Sequence, residues 1–261
     1  MRILFLTDIH ANLEGMEACV ASVADHDMIV NLGDIVGYGA SPNEVSDRSR
    51  ELCDIFVRGN HDKACTGLGG IDDFNPIAGM AAIWTQQTLT PENFEWLRAL
   101  PQGPIELDHI WPEKSASSGQ LKVQCVHGSP LDEDEYIIVM RDAYQPLLAT
   151  EATITFFGHT HIQGGFCTHG EEWETLRPVY RTKREMESCD LTITPGAKYL
   201  INPGSAGQPR DGDWRAACAL LDTSENRVTF YRVPYDVKKA QERIFSAKLP
   251  DRLALRLSEG R

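Results

Sequence analysis

Short and almost continuous apolar runs, each followed by a polar cluster, most constrain the fold of this 261-residue sequence. Six such runs occupy residues 3–6, 28–32, 55–57, 121–126, 154–157 and 199–201. Continuous apolar character is typical of strands that are covered on both faces. Because polar and often glycine-containing residues end each run, the sequence predicts an α/β sheet with its functional site beyond the strand ends.

Helical patterns fill the gaps between the early runs. Apolar residues at helical spacing over 13–23 predict a first crossover helix. The Ser-Pro-Asn-Glu stretch at 41–44 matches a capping box and predicts a second helix that extends toward residue 52. A Thr-Pro-Glu-Asn stretch at 90–93 predicts a third helix that ends near residue 100. This alternation favours right-handed crossovers within one sheet.

The second half of the chain has a different pattern. Strands are expected to dominate from about residue 121, with hairpins and loops over 164–198 and two further strands at 216–221 and 227–233. A terminal helix is expected at 236–249, followed by residues that fray. The length permits one large α/β domain or two small ones. Without a linker or repeat, a single domain over 1–261 is the simplest prediction.

Composition and charge narrow the function classes. The formal net charge of −13 argues against stable nucleic-acid binding, which needs a basic surface. Seven cysteines without a Cys-x-x-C pair predict reduced thiols in a cytoplasmic protein. The sequence contains neither a signal-peptide pattern nor an apolar run long enough for a membrane span. We therefore expect a cytoplasmic protein that does not bind membranes.

Five polar clusters follow predicted strands and contain side chains that bind metals. They are Asp8-Ile9-His10, Gly33-Asp34, Gly59-Asn60-His61-Asp62, Val126-His127-Gly128 and Gly158-His159-Thr160-His161. In extended backbone, residues i and i+2 point the same way, so Asp8 and His10 can reach one cation. Each cluster alone could be a turn, a helix cap or a buried histidine. Together they hold five of the eight histidines, which favours a metal site over coincidence. We read His26, His109 and His169 as surface or structural residues.

In order and spacing, these clusters resemble the calcineurin-like metallophosphoesterase superfamily. That family carries Asp-x-His, Gly-Asp, Gly-Asn-His-Asp/Glu, a later His and Gly-His-x-His, and all five elements occur here within residues 8–161. Residues 37–44 and 202–210 are similar to the YfcE/MJ0936-type branch of bacterial and archaeal phosphoesterases. The fold implied by the resemblance is a four-layer αββα sandwich, in which helices flank two mixed β-sheets.

The resemblance also implies a role for each residue. One metal would be held by Asp8, His10, Asp34 and His161, and a second by Asp34, Asn60, His127 and His159. Asp34 would bridge the two ions, and His61 would protonate the leaving group. A mixed nitrogen and oxygen ligand set suits Mn, Fe, Zn, Co or Ni, of which manganese is favoured. The expected reaction is attack of a metal-bound hydroxide on phosphorus.

One departure from the family concerns phosphate binding. Protein Ser/Thr phosphatases carry Asp-Arg-Gly shortly after the Gly-Asp motif, whereas this chain has Val36 to Gly39 there and Asp62 in place of Glu. Arg210, Arg58 and Asn60 are our candidate substrate contacts, with a surface salt bridge as the alternative for either arginine. Ser205 lacks the surroundings of a nucleophile and is expected to form a tight turn.

The expected function is therefore hydrolysis of a phosphomonoester or phosphodiester, with a small nucleotide-like molecule as the favoured partner. A protein phosphatase remains an alternative that the missing Asp-Arg-Gly disfavours. A non-catalytic metal-binding scaffold and a nuclease are further alternatives, disfavoured by the complete ligand set and by the acidic net charge, respectively. The sequence leaves the metal identity, the oligomeric state and the choice between monoester and diester open.

Overall fold

A computed structural model describes residues 1–71, 74–107 and 121–261. The strands are β1 (Arg2–Leu6), β2 (Met28–Asn31), β3 (Ile55–Phe56), β4 (Ile105–Glu106), β5 (Val123–Cys125), β6 (Ile154–Phe156), β7 (Gly164–His169), β8 (Glu172–Leu176), β9 (Glu187–Thr192), β10 (Lys198–Asn202), β11 (Ala216–Asp222) and β12 (Arg227–Val233). The helices are α1 (Leu13–Ser22), α2 (Pro42–Leu52), α3 (Asn60–Cys65), α4 (Pro76–Thr88), α5 (Pro91–Arg98), α6 (Met140–Ala149), α7 (Val237–Ser246) and α8 (Asp251–Leu255), with a final 3₁₀-helix at Arg256–Ser258.

The strands form two six-stranded sheets. The first has the order β3-β2-β1-β11-β12-β9, and the second has the order β4-β5-β6-β10-β7-β8. Both sheets are mixed, because β1 pairs in parallel with β2 but antiparallel with β11, and β10 pairs in parallel with β6 but antiparallel with β7. With helices on their outer faces, the sheets form the predicted four-layer αββα sandwich, so the predicted α/β (α+β) class is confirmed.

Alternating side chains of β1 show how the layers are held together. Ile3 and Phe5 belong to the core between the sheets, whereas Leu4 and Leu6 belong to the core beneath the helices. Successive residues of a strand point to opposite faces, so a continuous apolar run serves both cores. The rings of Phe5 and Phe156 stack across the sheet interface with centroids 3.7 Å apart. The runs at 3–6, 28–32, 154–157 and 199–201 are confirmed as buried strands. The run at 55–57 forms only the short, half-buried β3, and the run at 121–126 is a strand only over Val123–Cys125.

The parallel strands place their carboxyl ends at one edge of the sandwich. In the first sheet β1, β2 and β3 run in parallel, and in the second sheet β5, β6 and β10 do so. The two edges meet, because the backbone N–H of His159, after β6, donates to the carboxylate of Asp8, after β1. The polar clusters that follow these strands are thereby brought together from distant parts of the chain.

Several helix predictions were wrong in detail. The helix at 41–52 exists, but the Ser41 hydroxyl makes no capping hydrogen bond, so the predicted capping box is absent. Helix α3 begins at Asn60, where we had expected only a polar strand end. Helix α6 interrupts the region assigned to strands, and its internal Pro146 obscures the helical pattern. The helix predicted at 90–100 is confirmed as α5, with Thr90 as its cap.

The end of the chain also differs from prediction. The helix expected at 236–249 ends at Ser246, and the following residues form α8 and the 3₁₀-helix instead of fraying. Leu253, Ala254 and Leu257 are buried in a cluster with α4 and α7, which explains the order of this segment. Its last residues are fixed by a hydrogen bond from the Gly212 N–H to the Gly260 carbonyl.

Other predictions concern the cysteines and the remaining histidines. All seven cysteines are free, and five of them are buried. None of the helices that the structure describes combines the length and apolar character needed to cross a bilayer. His26 bonds the carbonyl of Val23, and His169 is exposed on β7, in keeping with structural and surface roles. His109 lies outside the described residues.

The core between the sheets yields a stability test. We expect Phe156→Ala to lower the free energy of unfolding by about 3–5 kcal/mol, because it removes a fully buried ring and leaves a cavity. Phe245→Ala makes the same change where the residue is 42% exposed, so its loss should be about 1 kcal/mol. Urea denaturation measures both, and equal losses would contradict the inter-sheet packing.

Candidate metal centre

The predicted ligand residues converge at the shared edge of the two sheets. Asp8 and His10 follow β1, Asp34 follows β2, Asn60 begins α3, His127 follows β5, and His159 and His161 follow β6. All of them except Asn60 are at most 3% exposed. A buried polar cluster of this size needs either mutual hydrogen bonds or a bound cation to offset the lost hydration.

The donor atoms fall into two groups with one shared member. Asp8, His10, Asp34 and His161 form one group, and Asp34, His127 and His159 form the other, with donor atoms within 4.8 Å of each other in each group. The Oδ1 atom of Asn60 lies 3.2 Å from the Nε2 atom of His127, which adds an oxygen donor to the second group. The structure thus brings together the residues of each set that the resemblance implied, and whether they bind metal remains a proposal.

Three of these imidazoles are oriented by the backbone. The Nδ1 atoms of His10, His127 and His161 lie 3.0, 2.9 and 2.6 Å from the carbonyl oxygens of Val36, Leu32 and Gln208. A carbonyl only accepts, so each Nδ1 carries a proton. The neutral rings of His10 and His161 then present an Nε2 lone pair to the centre, whereas Nε2 of His127 faces the Asp34 carboxylate and must lose its proton to bind a cation. The bond from Nδ1 to a carbonyl is the usual way in which proteins orient a metal-binding histidine.

The contacts of the free nitrogens indicate that the centre fits cations. With their Nδ1 atoms protonated, the Nε2 atoms of His10 and His161 face each other at 3.0 Å as two lone pairs. The Nε2 atom of His159 is buried and has no hydrogen-bond partner among the described residues. A cation that accepts these lone pairs would remove both the repulsion and the unsatisfied nitrogen. Imidazole and carboxylate donors together suit first-row transition metals.

Strained backbone conformations position five of the donors. Asp8, His10, Asp34, His159 and His161 have φ angles of 51°, 49°, 53°, 66° and 59°, in the left-handed region that side chains rarely adopt. Such strain costs roughly 1–3 kcal/mol per residue and clusters at functional sites. This strain could not be predicted from the sequence, where each motif was expected to continue the extended strand.

Charge within the centre depends on Asp34. Burial lowers the pKa values of His10 and His161 well below their ordinary range and that of His159 to about 3, so these imidazoles are neutral. Burial also lowers the pKa of His127, but the nearby Asp34 carboxylate outweighs it and raises that pKa to about 10. Burial raises the pKa of Asp34, yet His127 and His61 together hold it well below its usual range. Asp34 is therefore an anion that draws positive charge inward.

Two residues that were not predicted from the sequence, Asp62 and Asn202, hold the loops that carry the donors. Asp62 accepts hydrogen bonds from the backbone N–H groups of Ile35, Val36 and Gly59, which joins α3 to the loop that carries Asp34. Asn202 donates to the Gly158 carbonyl and to the Thr160 hydroxyl, which fixes the His159–His161 loop. The Gly-Asn-His-Asp motif contained a signal for Asp62, because an acid at the third position of a helix bonds the cap.

The His61 side chain lies beside the donor groups but belongs to neither. Its backbone N–H donates to Asp34 Oδ1 at 2.8 Å, and its ring packs against Tyr38 and Phe74. Its Nδ1 atom is buried and has no hydrogen-bond partner among the described residues. Burial lowers the pKa of His61 to about 4, so the ring is neutral until a negative group approaches.

The two candidate arginines have different surroundings. Arg58 pairs with Glu133 at 3.0 Å, which is the salt bridge that we had weighed against a substrate contact. Arg210 donates to the side chain of Gln208, and its guanidinium lies 5.5 Å from the centre of the Tyr38 ring. Its positive charge lowers the pKa values of nearby site histidines, although burial is the larger effect there. Arg210 therefore faces the donor cluster, whereas Arg58 is neutralised by an acid.

Ser205 and Tyr136 also lie beside the donor cluster. The Ser205 hydroxyl donates to the Asp8 carbonyl and accepts from the N–H groups of Gly207 and Gln208. This is the tight turn expected from the sequence. The Tyr136 ring is half exposed and packs at a tilt of 40° against His159, with centroids 3.9 Å apart. Tyr136 thus covers one side of the donor cluster.

Comparison with known proteins identifies relatives along the whole chain. A family model described as the calcineurin-like phosphoesterase superfamily domain matches residues 1–226. The crystal structure of a metallophosphoesterase from Sphaerobacter thermophilus is 37% identical, covers 100% of this chain and 99% of that chain, and has a TM-score of 0.79. The uncharacterized protein MJ0912 from Methanocaldococcus jannaschii is 34% identical over 99% of this chain and 98% of its own length. YfcE, a phosphoesterase from E. coli, has 18% identity, covers 85% of this chain and 88% of that chain, and has a TM-score of 0.42.

Close packing of Gly59 against Asp34 yields a test of the centre. A Cβ atom at residue 59 would lie 2.1 Å from Asp34 Oδ1, so Gly59→Ala should displace this carboxylate. We expect metal affinity to fall about 10–100-fold, as is typical when ligand support is lost. Gly79→Ala in α4 is the matched control, because its Cβ would meet nothing within 4 Å. Titration calorimetry with Mn²⁺ measures both, and equal affinities would contradict this account of how Asp34 is held.

Proposed function

Because the chain belongs to the calcineurin-like phosphoesterase superfamily, we propose that it is a phosphoester hydrolase with two divalent metal ions. The observation that carries this proposal is the pair of buried donor groups that share Asp34. Asp8, His10, Asp34 and His161 would hold one ion, and Asp34, Asn60, His127 and His159 the other. Two bound cations would activate water and neutralise phosphoryl oxygens.

Residues around the proposed ligands hold them in position. Asp34 would be shared by the two ions, and Asp62 and Gly59 hold the loop around it. The backbone carbonyls that receive the Nδ1 protons keep His10, His127 and His161 in the metal-binding tautomer. Because the buried centre admits little water, electrostatic interactions within it are strong. The chain thus presets the positions of the reacting groups.

His61 is the proposed proton donor to the leaving oxygen. Support comes from its position, next to Asn60 and hydrogen-bonded through its backbone to Asp34, with a ring nitrogen that none of the described residues satisfies. A bound phosphoryl group adds negative charge and favours the protonated ring. Tyr38 and Phe74 pack against the ring and restrict its orientation.

Arg210 is the proposed contact to a phosphoryl oxygen that the metals leave free. Its Nε atom is buried without a partner among the described residues. Guanidinium groups bind phosphate through paired hydrogen bonds. Arg58 is a weaker candidate, because its charge is already balanced by Glu133.

A small nucleotide-like phosphoester is the proposed substrate. A net charge of −13 disfavours approach of long nucleic acids, while a local pair of cations still attracts a small anion. The half-exposed Tyr136 ring beside His159 offers a surface on which an aromatic leaving group can stack. Manganese is the proposed ion, to be tested against Fe, Zn, Co and Ni.

Activity on simple esters tests the proposed function. We expect the purified protein with Mn²⁺ to hydrolyse bis-p-nitrophenyl phosphate or p-nitrophenyl phosphate, and the ratio of the two rates separates diesterase from monoesterase activity. Asp34→Asn should lose metal and nearly all activity, because an amide cannot bridge two cations as a carboxylate does. Metal content is measured by mass spectrometry. A wild type that binds metal but hydrolyses neither ester would favour a scaffold, and an active, fully metallated Asp34→Asn would refute the bridge.

Leaving-group dependence tests the role of His61. General acid catalysis contributes about 10²–10⁴-fold, so His61→Ala should lose this factor on a phenyl or alkyl phosphoester. The loss should be much smaller on p-nitrophenyl esters, whose leaving group needs little protonation. The kcat values for matched esters provide the measurement. A small and equal loss on both kinds of ester would contradict the acid role.

A further inference from the structure

A second arginine lies near the centre and comes from the end of the chain. Arg256 begins the final 3₁₀-helix, and its guanidinium carbon lies 6.0 Å from the centre of the Tyr38 ring. Arg210 approaches the same ring at 5.5 Å. The Tyr38 ring in turn lies 4.7 Å from the ring of His10. Arg210 and Arg256, here called the arginine pair, therefore both lie against Tyr38 beside the donor cluster.

Among the described residues, neither arginine of the pair has an Asp or Glu side chain as its partner. Within the described residues, no Asp or Glu carboxylate lies within 4.0 Å of either guanidinium. Arg256 donates from Nε to a main-chain oxygen of Arg261, the last residue of the sequence, and Arg210 donates to the side chain of Gln208. Burial and then the charge of Arg210 lower the pKa of Arg256 to about 10. An anion that binds beside two partly buried cations would offset the repulsion between them.

The arginine pair is held by the fold rather than by flexible surface loops. Leu253, Ala254 and Leu257, on either side of Arg256, are buried in one apolar cluster with Tyr38. The Arg210 N–H donates to the carbonyl of His161, which ties this arginine to a predicted metal ligand. Residues 212 and 260 are joined by a backbone hydrogen bond, so the two segments are directly connected. The backbone positions of Arg210 and Arg256 on either segment are thereby fixed in the folded chain.

We propose that the arginine pair binds a second anionic group of the substrate, so that the preferred substrates carry a further phosphate next to the phosphoryl group at the metals. Arg210 lies nearer the donor cluster and would contact both groups, whereas Arg256 would contact only the second. This inference rests on the proposed function of the same site and narrows its substrate class. Arg256 lies beyond residues 1–226, the part of the chain that the family model matches.

Competition by two matched nucleotides tests the arginine pair. Adenosine 5′-monophosphate and 5′-diphosphate differ by one phosphate, and each is measured as an inhibitor of bis-p-nitrophenyl phosphate hydrolysis at fixed free Mn²⁺. We expect the wild type to bind the diphosphate at least about tenfold more tightly, the effect of one charge-assisted contact. Arg256→Gln should lower the affinity for the diphosphate about tenfold and the affinity for the monophosphate far less. Arg210→Gln should weaken both.

Two further variants separate binding from folding. Arg256→Lys keeps the charge but not the paired hydrogen bonds, so the diphosphate preference should be partly retained. Arg252→Ala is the matched control, because Arg252 lies in the same segment, is exposed and faces Glu259 at 3.8 Å. It should leave both affinities unchanged. Melting temperatures of all variants report whether the segment stays folded.

The outcomes distinguish this inference from the proposed function. Arg256→Gln could lower the affinity for both nucleotides equally, or for neither, while the esters are still hydrolysed. That result would overturn the inference about the arginine pair and leave the proposed phosphoesterase function standing. If the wild type hydrolyses no ester, the proposed function fails. Calorimetric titration with the two nucleotides in the presence of Mn²⁺ then still tests whether the arginine pair favours the diphosphate. A wild type that binds both nucleotides equally contradicts the inference in either assay.

Discussion

The buried carboxylate of Asp34 is the group on which the rest of the structure depends. It belongs to both donor groups, it accepts a hydrogen bond from the backbone of His61, and it sets the charge of His127. An isolated buried anion is strongly unfavourable, so its surroundings must supply hydrogen bonds and positive charge. The two sheets meet at this carboxylate and supply both, since His127 comes from one sheet and the Asp34 loop from the other.

Local strain and close packing follow from the need to bring these side chains together. Five donors have left-handed backbone, and glycines beside them leave space that a side chain would fill. At Gly158, for example, a Cβ atom would lie 2.1 Å from the Thr7 hydroxyl and 2.9 Å from Asp8. The apolar cores around β1 and β6 stabilise the fold enough to hold such conformations, since strain persists only where surrounding structure enforces it.

The structural elements that could be predicted from the sequence are those that a single physical rule determines. Strands such as β1 and β6 were predicted because burial on both faces demands continuous apolar residues. The donor residues could be located because the carboxyl ends of parallel strands share an edge. Helix α6 was missed, because Pro146 and an irregular apolar pattern conceal it. The capping box at Ser41 failed because capping depends on a side-chain orientation that sequence does not specify. Arg256 had no local motif, and only the packing of the final helices brings it to Tyr38.

The pairing of β1 with β11 has a consequence for how the centre forms. Arg2 lies opposite Asp222, so the central strand of the first sheet gains one of its two neighbours only after almost the whole chain is available. Such distant contacts slow folding, because loop closure must precede the gain from pairing. Asp8 directly follows this strand and contacts the loop after β6. Metal binding is therefore linked to completion of the tertiary structure, and free metal acts as a ligand that shifts the unfolding equilibrium toward the native state.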